Sequence, residues 1–403
     1  MKNIAILGLG TVGQGVYEIL KENKDKIKNL IGEDFAITTV MVNNLQKERN
    51  LDSTTTLTDN FQDILDDNNI DIVVELTGAL EEGYYYIKSS LENGKDVVTA
   101  NKSVISKYFV ELHKIAKENN RSLLYEASVG GGIPIIKPLK EECLINDIDS
   151  IEGILNGTCN YILSRMFKEN EAYDLILKDA QKLGYAEADP TADVEGLDTM
   201  RKLRILATIG FNSNIKEEDI LCYGISSIKK EDINYIKNKM KSTVKLLATA
   251  NLKDDGYTAV VQPTIVAEDD YFAFVDSAFN SISFNGNNIG PLKFFGYGAG
   301  KFPTGDAVCR DIIDILLNHP TVEQDIDFKE YKNLNSMSKS NYYLRIDNKY
   351  KNQLISSFKD YEVEDLENYS YFIIKEENKN NIINLLNKLD IDKKDYFIAK
   401  IGY

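Results

Sequence analysis

The chain has 403 residues, 43% hydrophobic and 10% aromatic, and 47 basic against 63 acidic side chains give a formal net charge of −16. That length predicts two or three domains with a sizeable core, and an acidic balance without a basic patch argues against nucleic acid and anionic membranes as partners. Two histidines and four scattered cysteines disfavour a His-based triad, a His-ligated zinc and a disulfide framework, and with no membrane span or N-terminal targeting segment the cytoplasm is the expected compartment.

Through about residue 125, strand-like and helix-like runs alternate. Strands are predicted at residues 3–8, 35–42, 70–76, 96–99 and 123–126, and helices at 13–22, 81–93 and 103–119. Such alternation specifies a parallel, doubly wound sheet. His113 lies beside Lys114 and Lys117 and is read as a surface residue, as is His319 at a helix end. From residue 134 the pattern becomes α+β, with strands expected at 148–155, 257–266 and 272–279 around a block of helices from 161 to about 250. A helix at about 303–318 is expected to pack back on the first domain. Past His319 the composition turns rich in Lys, Asn and Asp, and only strands 342–346 and 371–374 and a helix at 381–389 are predicted. The linear division is therefore 1–133 for dinucleotide binding, 134–320 for substrate binding, catalysis and dimerisation, and 321–403 for a linker and small α+β module.

Gly8-Leu9-Gly10-Thr11-Val12-Gly13 sits between the first strand and the first helix. Gly8 permits a tight turn, Gly10 lets a pyrophosphate approach the backbone, and Gly13 allows close helix packing, which is the fingerprint of a Rossmann-type dinucleotide site. The second strand ends at Asn43-Asn44 rather than at an acid, with Lys47 and Arg49 close behind. Without the acid that grips an NAD ribose, and with cations nearby, NADP is favoured over NAD.

The most informative stretch runs from Gly184 through Glu187, Asp189, Asp193, Glu195 and Asp198 to Lys202 and Leu203. Asp198 and Lys202 stand at i, i+4 on a helix, a spacing that also suits a solvated ion pair. The crowd of acids upstream suits a substrate ammonium instead, and a Lys beside an Asp suits proton transfer. Thr99-Ala100-Asn101-Lys102 follows a strand and places Lys102 where the carboxyl ends of parallel strands meet ligand. Glu126-Ala127-Ser128-Val129-Gly130-Gly131-Gly132-Ile133-Pro134 reads either as a hinge or as a loop whose carbonyls coordinate a hard cation. Cys159, in Asn156-Gly157-Thr158-Cys159-Asn160-Tyr161, opens a helix but has no histidine near it to act as base, so it is read as a packing residue.

Taken together, these segments and Gly296-Tyr297-Gly298-Ala299-Gly300-Lys301-Phe302-Pro303-Thr304 closely resemble the homoserine dehydrogenases, in the family's order, over residues 1 to about 320. The resemblance implies NAD(P)-dependent interconversion of L-homoserine and L-aspartate 4-semialdehyde on the route to threonine and methionine, by a homodimer or higher oligomer. It implies Lys202 as proton donor and acceptor with Lys102 assisting, and Glu187 and Asp198 as the residues that hold the substrate. Cofactor contacts carried over are Gly8, Gly10, Thr11, Val12, Gly13, Lys102, Gly184 and Gly300. A monovalent cation, sodium in the family, falls on Glu126, Val129, Gly131 and Ile133. Many members carry an Arg where Asn43 stands here, and many end in an ACT domain, of which residues 341–346 resemble the first strand without the usual Pro-Gly turn. The C-terminal module is thus expected to be a shortened, degenerate ACT-like unit. The rival readings are an aspartate-semialdehyde dehydrogenase, which needs a Cys nucleophile, and a non-catalytic dinucleotide sensor.

Overall fold

Ile4-Ala5-Ile6-Leu7 and Ile72-Val73-Val74 are buried on both faces, as strands at the centre of a parallel sheet covered by helices must be. They belong to β1 (Lys2–Leu7) and β4 (Ile70–Glu75), which pair side by side. The remaining strands of this sheet are β2 (Phe35–Met41), β3 (Thr56–Thr58), β5 (Asp96–Thr99) and β6 (Leu123–Leu124). All pairs are parallel and the order is β3-β2-β1-β4-β5-β6, the dinucleotide-binding topology whose order reverses between β1 and β4.

The computed structural model describes residues 1–319 and 326–402, so the expected boundary at 320/321 lies outside the described residues. Two compact units account for the chain. The first comprises Met1–Ile148, Arg204–Glu217 and Gly286–Glu330, and the second Asp149–Leu203, Glu218–Asn285 and Tyr331–Tyr403. The first unit thus gathers later segments around the parallel sheet, a different cut from the linear division. Helix Lys301–Leu316 is one of them: Ala307, Val308, Ile312 and Leu316 share the core of Ile4, Ile6 and Val16. No helix among the described residues is long and apolar enough to cross a membrane.

His113 corrects its expected placement. It is 8% exposed, with Nδ1 at 2.7 Å from the Phe109 carbonyl oxygen and Nε2 at 3.0 Å from the Tyr125 hydroxyl. The neighbouring lysines point elsewhere, because Phe109, Leu112, His113 and Ala116 form the buried stripe of helix Lys102–Glu118.

The second unit is built on β7 (Ile148–Ile154), β8 (Leu221–Cys222), β9 (Ser242–Lys253), β10 (Gly256–Ala267) and β11 (Phe279–Gly286). β9 and β10 form a long antiparallel hairpin, registered from Lys253↔Gly256 to Ser242↔Ala267. Two expectations fail here. The helical block ends at Lys239 rather than near residue 250. The apolar run beginning at Phe272 is a 3₁₀ turn, Tyr271–Phe274, because the Asp270 carboxylate accepts the Phe272 N–H at 2.7 Å.

After β12 (Gly290–Tyr297), a strand of the first unit, and the short β13 (Lys332–Asn333), the chain ends in β14 (Ser340–Asp347), β15 (Tyr361–Leu366), β16 (Tyr369–Glu377) and β17 (Tyr396–Ile401). Helices Lys351–Ile355 and Lys379–Lys388 complete a β-α-β-β-α-β module with strand order β17-β14-β16-β15, the ferredoxin-like arrangement. The module therefore carries four strands where two were predicted, and its first helix is reduced to 5 residues. β17 also pairs parallel with β10 through Thr264↔Lys400 and Ile265↔Ile401, so module and hairpin share one sheet. Buried polar groups tie the module to helix Lys230–Lys239 through Asp232 and to the hairpin through Gln262. Arg345 Nε lies 2.9 Å from both Asp232 oxygens, Tyr343 donates to Asp232 at 2.7 Å, and buried Lys379 donates to Gln262 at 3.1 Å beneath the Tyr223 ring.

Candidate active site

In the first unit the chain leaves β1 through Gly8 at φ +93°, where a Cβ would stand 2.9 Å from the Leu76 carbonyl oxygen. A Cβ at Gly13 would stand 2.2 Å from the Gly8 carbonyl oxygen, so only glycine lets the helix settle onto the turn. At Gly10, by contrast, a Cβ would meet nothing within 4 Å. Helix Thr11–Glu22 starts there with no side-chain cap and no acid in its first turn. Thr11 and Val12 occupy that turn, and the N–H groups and positive end of the helix are left for an anion. Beside it lies a cavity of about 860 Å³ lined by Leu9, Gln14, Tyr17, Lys21, Lys47 and Arg49 among others. The Arg49 guanidinium folds this loop by donating to the carbonyls of Asn44 at 2.8 Å and Lys47 at 2.7 Å, and Lys21 pairs with Asp52.

At the ends of β4 and β5, buried Glu75 accepts from the Thr99 hydroxyl at 2.7 Å, and Thr99 in turn accepts the Asn101 N–H at 2.9 Å. The Asn101 side chain accepts from Val104 N at 3.3 Å and donates to the Ala79 carbonyl at 2.7 Å. This lattice fixes the turn that makes Lys102 the first residue of helix Lys102–Glu118, half-buried at the carboxyl end of the sheet.

The loop after β6 turns through Gly130 and Gly131 at φ +76° and +56°. A Cβ on Gly131 would stand 2.5 Å from the backbone of Gly298. The Gly130 carbonyl accepts from Ile133 N and the Gly132 carbonyl from Arg310 at 3.2 Å. Among the described residues no hydrogen bond ends on the carbonyls of Val129, Gly131 or Ile133, which suits them to a hard cation. The Glu126 carboxylate is committed elsewhere: it accepts the N–H groups of Ile135, Ile136 and Lys137 at 2.6, 2.8 and 2.8 Å. Only its carbonyl remains for that role. Behind the loop, Asp311 accepts Glu126 N at 2.9 Å, and burial with the neighbouring Glu126 charge lifts the Asp311 carboxyl far above the usual range. Gly300, at φ +134°, leads into helix Lys301–Leu316.

In the second unit, Asp198 and Lys202 lie on the part of helix Leu197–Phe211 that belongs to this unit. Lys202 Nζ is 2.8 Å from Asp198 Oδ2 and 2.7 Å from the Leu155 carbonyl oxygen. Both side chains are buried, at 10% and 4% exposure, so the solvated ion pair is not what this spacing built. Asn156 donates to Asp198 at 2.9 Å and to Asp193 at 2.7 Å. Cys159 is wholly buried, its thiol donates to the Asp193 carbonyl at 3.2 Å, and burial pushes it well above the ordinary thiol range. It is a packing residue and a poor nucleophile. Glu187 stays apart: it is exposed, and its carboxylate makes no hydrogen bond or ion pair among the described residues. Gly184, at φ +78°, ends the preceding helical segment on the same exposed stretch.

Comparison with known proteins decides the family. Residues 134–313 match the profile described as homoserine dehydrogenase, and residues 8–126 that of the homoserine dehydrogenase NAD-binding domain. The homoserine dehydrogenase of Bacillus subtilis is 41% identical over 316 residues, which cover 78% of this chain and 73% of that one. The chain belongs to the homoserine dehydrogenase family. The Synechocystis homoserine dehydrogenase is 44% identical with the same coverage. Among solved structures, the homoserine dehydrogenase of Thiobacillus denitrificans matches with a TM-score of 0.88 at 33% identity, over 100% of this chain and 98% of that one. A hyperthermophilic archaeal homoserine dehydrogenase in complex with NADPH matches with a TM-score of 0.68 at 26% identity, over 80% of this chain and 100% of that one.

As a homoserine dehydrogenase the chain is an oxidoreductase that interconverts L-homoserine and L-aspartate 4-semialdehyde with a nicotinamide dinucleotide, in amino-acid biosynthesis. The semialdehyde dehydrogenase and sensor readings fall away. In the second unit the structure brings Lys202 and Asp198 together, leaves Glu187 exposed, and adds Asn156 and Asp193. Asn156 escaped the sequence reading because its partners lie 37 and 42 residues away. The Asn at the start of a helix was the only signal available.

Proposed function

We propose that this homoserine dehydrogenase runs its proton transfer on Lys202, assisted by Lys102. The observation that carries the reading is the buried ammonium of Lys202, held by one carboxylate and one carbonyl. An ammonium has three donors, so the third is left for the C4 oxygen of the substrate. A nicotinamide dinucleotide held at the fingerprint turn would supply the hydride chemistry at C4 of the substrate. Lys202 moves the accompanying proton: as an amine it takes the hydroxyl proton on oxidation, and as an ammonium it protonates the oxygen on reduction. Asp198 orients it. Glu187, exposed and unengaged, holds the substrate amino group with Asp198.

The open turn at Gly10 and the unopposed start of helix Thr11–Glu22 fit a pyrophosphate, with Gly184 and Gly300 as further cofactor contacts. The missing acid at the end of β2 and the Lys47 loop favour NADP over NAD, in keeping with the NADPH bound by the archaeal relative. The carbonyls of Glu126, Val129, Gly131 and Ile133 are the ligands for a sodium-class monovalent cation. Homodimers or higher oligomers and a cytoplasmic location complete the reading, with residues 321–403 as an ACT-like accessory module.

The test is homoserine-dependent reduction of NADP and NAD by the purified chain. Lys202→Ala abolishes turnover while dinucleotide affinity persists, and Cys159→Ser retains turnover. Full activity in Lys202→Ala overturns the assignment.

A further inference from the structure

Asn156 occupies an unusual position between two carboxylates. It is 5% exposed and caps helix Gly157–Glu169, its Oδ1 accepting the Cys159 N–H at 2.8 Å. That bond fixes the orientation of the amide, since Oδ1 must face the N–H and Nδ2 must face the acceptors. The two hydrogens of Nδ2 then go to Asp193 at 2.7 Å and to Asp198 at 2.9 Å. The Asp198 oxygen that Asn156 holds is the one that accepts from Lys202 at 2.8 Å. The residue before Asn156 contributes the carbonyl that takes the second Lys202 proton. The segment 155–156 therefore grips both members of the pair, the lysine through the main chain and its carboxylate through a side chain.

We infer that Asn156 is a positioning residue for Lys202. It aims Asp198 at the ammonium, and it does so with a neutral donor. This rests on the reading of Lys202 as the proton-transfer group. The neutrality matters chemically. A carboxylate at position 156 would add a negative charge beside Asp193 and Asp198, favouring the ammonium form of Lys202 and delaying the amine that oxidation requires. Four ionisable groups packed around the cluster are shifted away from neutral pH. Glu195, bonded by Lys393 and Ser226, is kept low and ionised. Burial keeps the Cys159 thiol and Tyr173 hydroxyl neutral and lifts the Cys222 thiol to about 12.

Two substitutions separate positioning from folding, because Ser and Asp both cap helices well and keep the bond to Cys159. Asn156→Ser removes the amide bridge. Its melting temperature stays within a few degrees of the parent, its kcat for homoserine oxidation falls about tenfold or more, and its KM for the dinucleotide is unchanged. Asn156→Asp moves the alkaline-rising limb of kcat upward by about one pH unit or more, which a purely structural role would not do. The parent and Lys202→Met are assayed alongside. If Lys202→Met is inactive while both Asn156 variants keep the parent kcat and pH profile, the assignment of Asn156 is wrong and that of Lys202 stands. If Lys202→Met keeps its activity, both assignments fall.

Discussion

Lys202 and Asp198 meet at 2.8 Å one helical turn apart, with both side chains buried. A buried pair of this kind adds little net stability over an apolar substitute, but breaking it leaves an uncompensated charge. Asp198→Ala is therefore expected to lower unfolding free energy by about 3–5 kcal/mol and kcat by about 10²-fold or more. Urea titration and steady-state kinetics of one preparation check both. Unchanged stability and unchanged kcat in Asp198→Ala would show that Asp198 supports neither the fold nor Lys202.

How much of this was legible beforehand depended on whether a contact is local. The strands of the parallel sheet announce themselves as β-branched runs because both faces are buried, and the Asp198–Lys202 pair announces itself through helical spacing. β9 did not, since residues 242–253 follow directly on a helix and carry lysines at Lys245 and Lys253 that blunt the strand pattern. Lys245 turns inward to Asn160 and the Val275 carbonyl, a tertiary fact. β15 carries acids at Glu362, Glu364 and Asp365 that mask its pairing with β16, and β17 is a short apolar run whose partners, β14 and β10, are remote in sequence. His113 was legible in principle: its i−4, i−1 and i+3 neighbours Phe109, Leu112 and Ala116 outline the buried stripe, and the adjacent lysines drew the reading to the wrong face.

That burial gives His113 a measurable effect. Burial, reinforced by the nearby Lys140 charge, lowers it from 6.5 to about 3, so it stays neutral in the folded chain where the unfolded chain protonates. Between these values the unfolded state binds more protons, and stability falls as pH drops below 6.5. The contribution is at most about 1.4 kcal/mol per pH unit. His113→Asn, which cannot titrate, is expected to show a shallower loss of melting temperature down to about pH 5. Identical slopes for the two proteins would remove His113 as a contributor.

The C-terminal module is bound to helix Lys230–Lys239 by a fully buried pair, Arg345 and Asp232, each at 0% exposure. Asp232→Ala leaves the guanidinium uncompensated and is expected to cost about 3–5 kcal/mol. Exposed Lys393, which pairs with Glu195, contributes at most about 1 kcal/mol. The double variant Asp232→Ala/Arg345→Met recovers much of the loss if charge burial is the cause. Chemical denaturation of the full chain distinguishes this from loss of packing, for which the double variant would be worse than the single.

The cation loop makes a prediction of its own. Gly131→Ala places a methyl 2.5 Å from the Gly298 backbone at a left-handed φ of +56°, displacing one of the carbonyls proposed as a ligand. The sodium concentration for half-maximal activity is expected to rise about tenfold, a weakening of about 1.4 kcal/mol. Exchange of sodium for a bulky organic cation should lower activity of the parent. Activity independent of sodium in the parent would show that this loop is a hinge only.

Cofactor choice turns on the loop after β2. Asn43-Asn44 stand where an NAD-specific site would place an acid, and Lys47 lines the cavity beside the fingerprint together with Lys21 and Arg49, although Glu18, Glu22 and Glu48 line it too. The Arg49 guanidinium is partly occupied in bonding the carbonyls of Asn44 and Lys47, which leaves the Lys47 ammonium as the mobile charge for the phosphate. Lys47→Glu is therefore expected to raise the KM for NADP about tenfold, a loss of about 1.4 kcal/mol, and to change that for NAD much less. Because both dinucleotides share the fingerprint turn, a parallel rise for both would place Lys47 on their common part, and no change for either would move the phosphate contact elsewhere in the cavity.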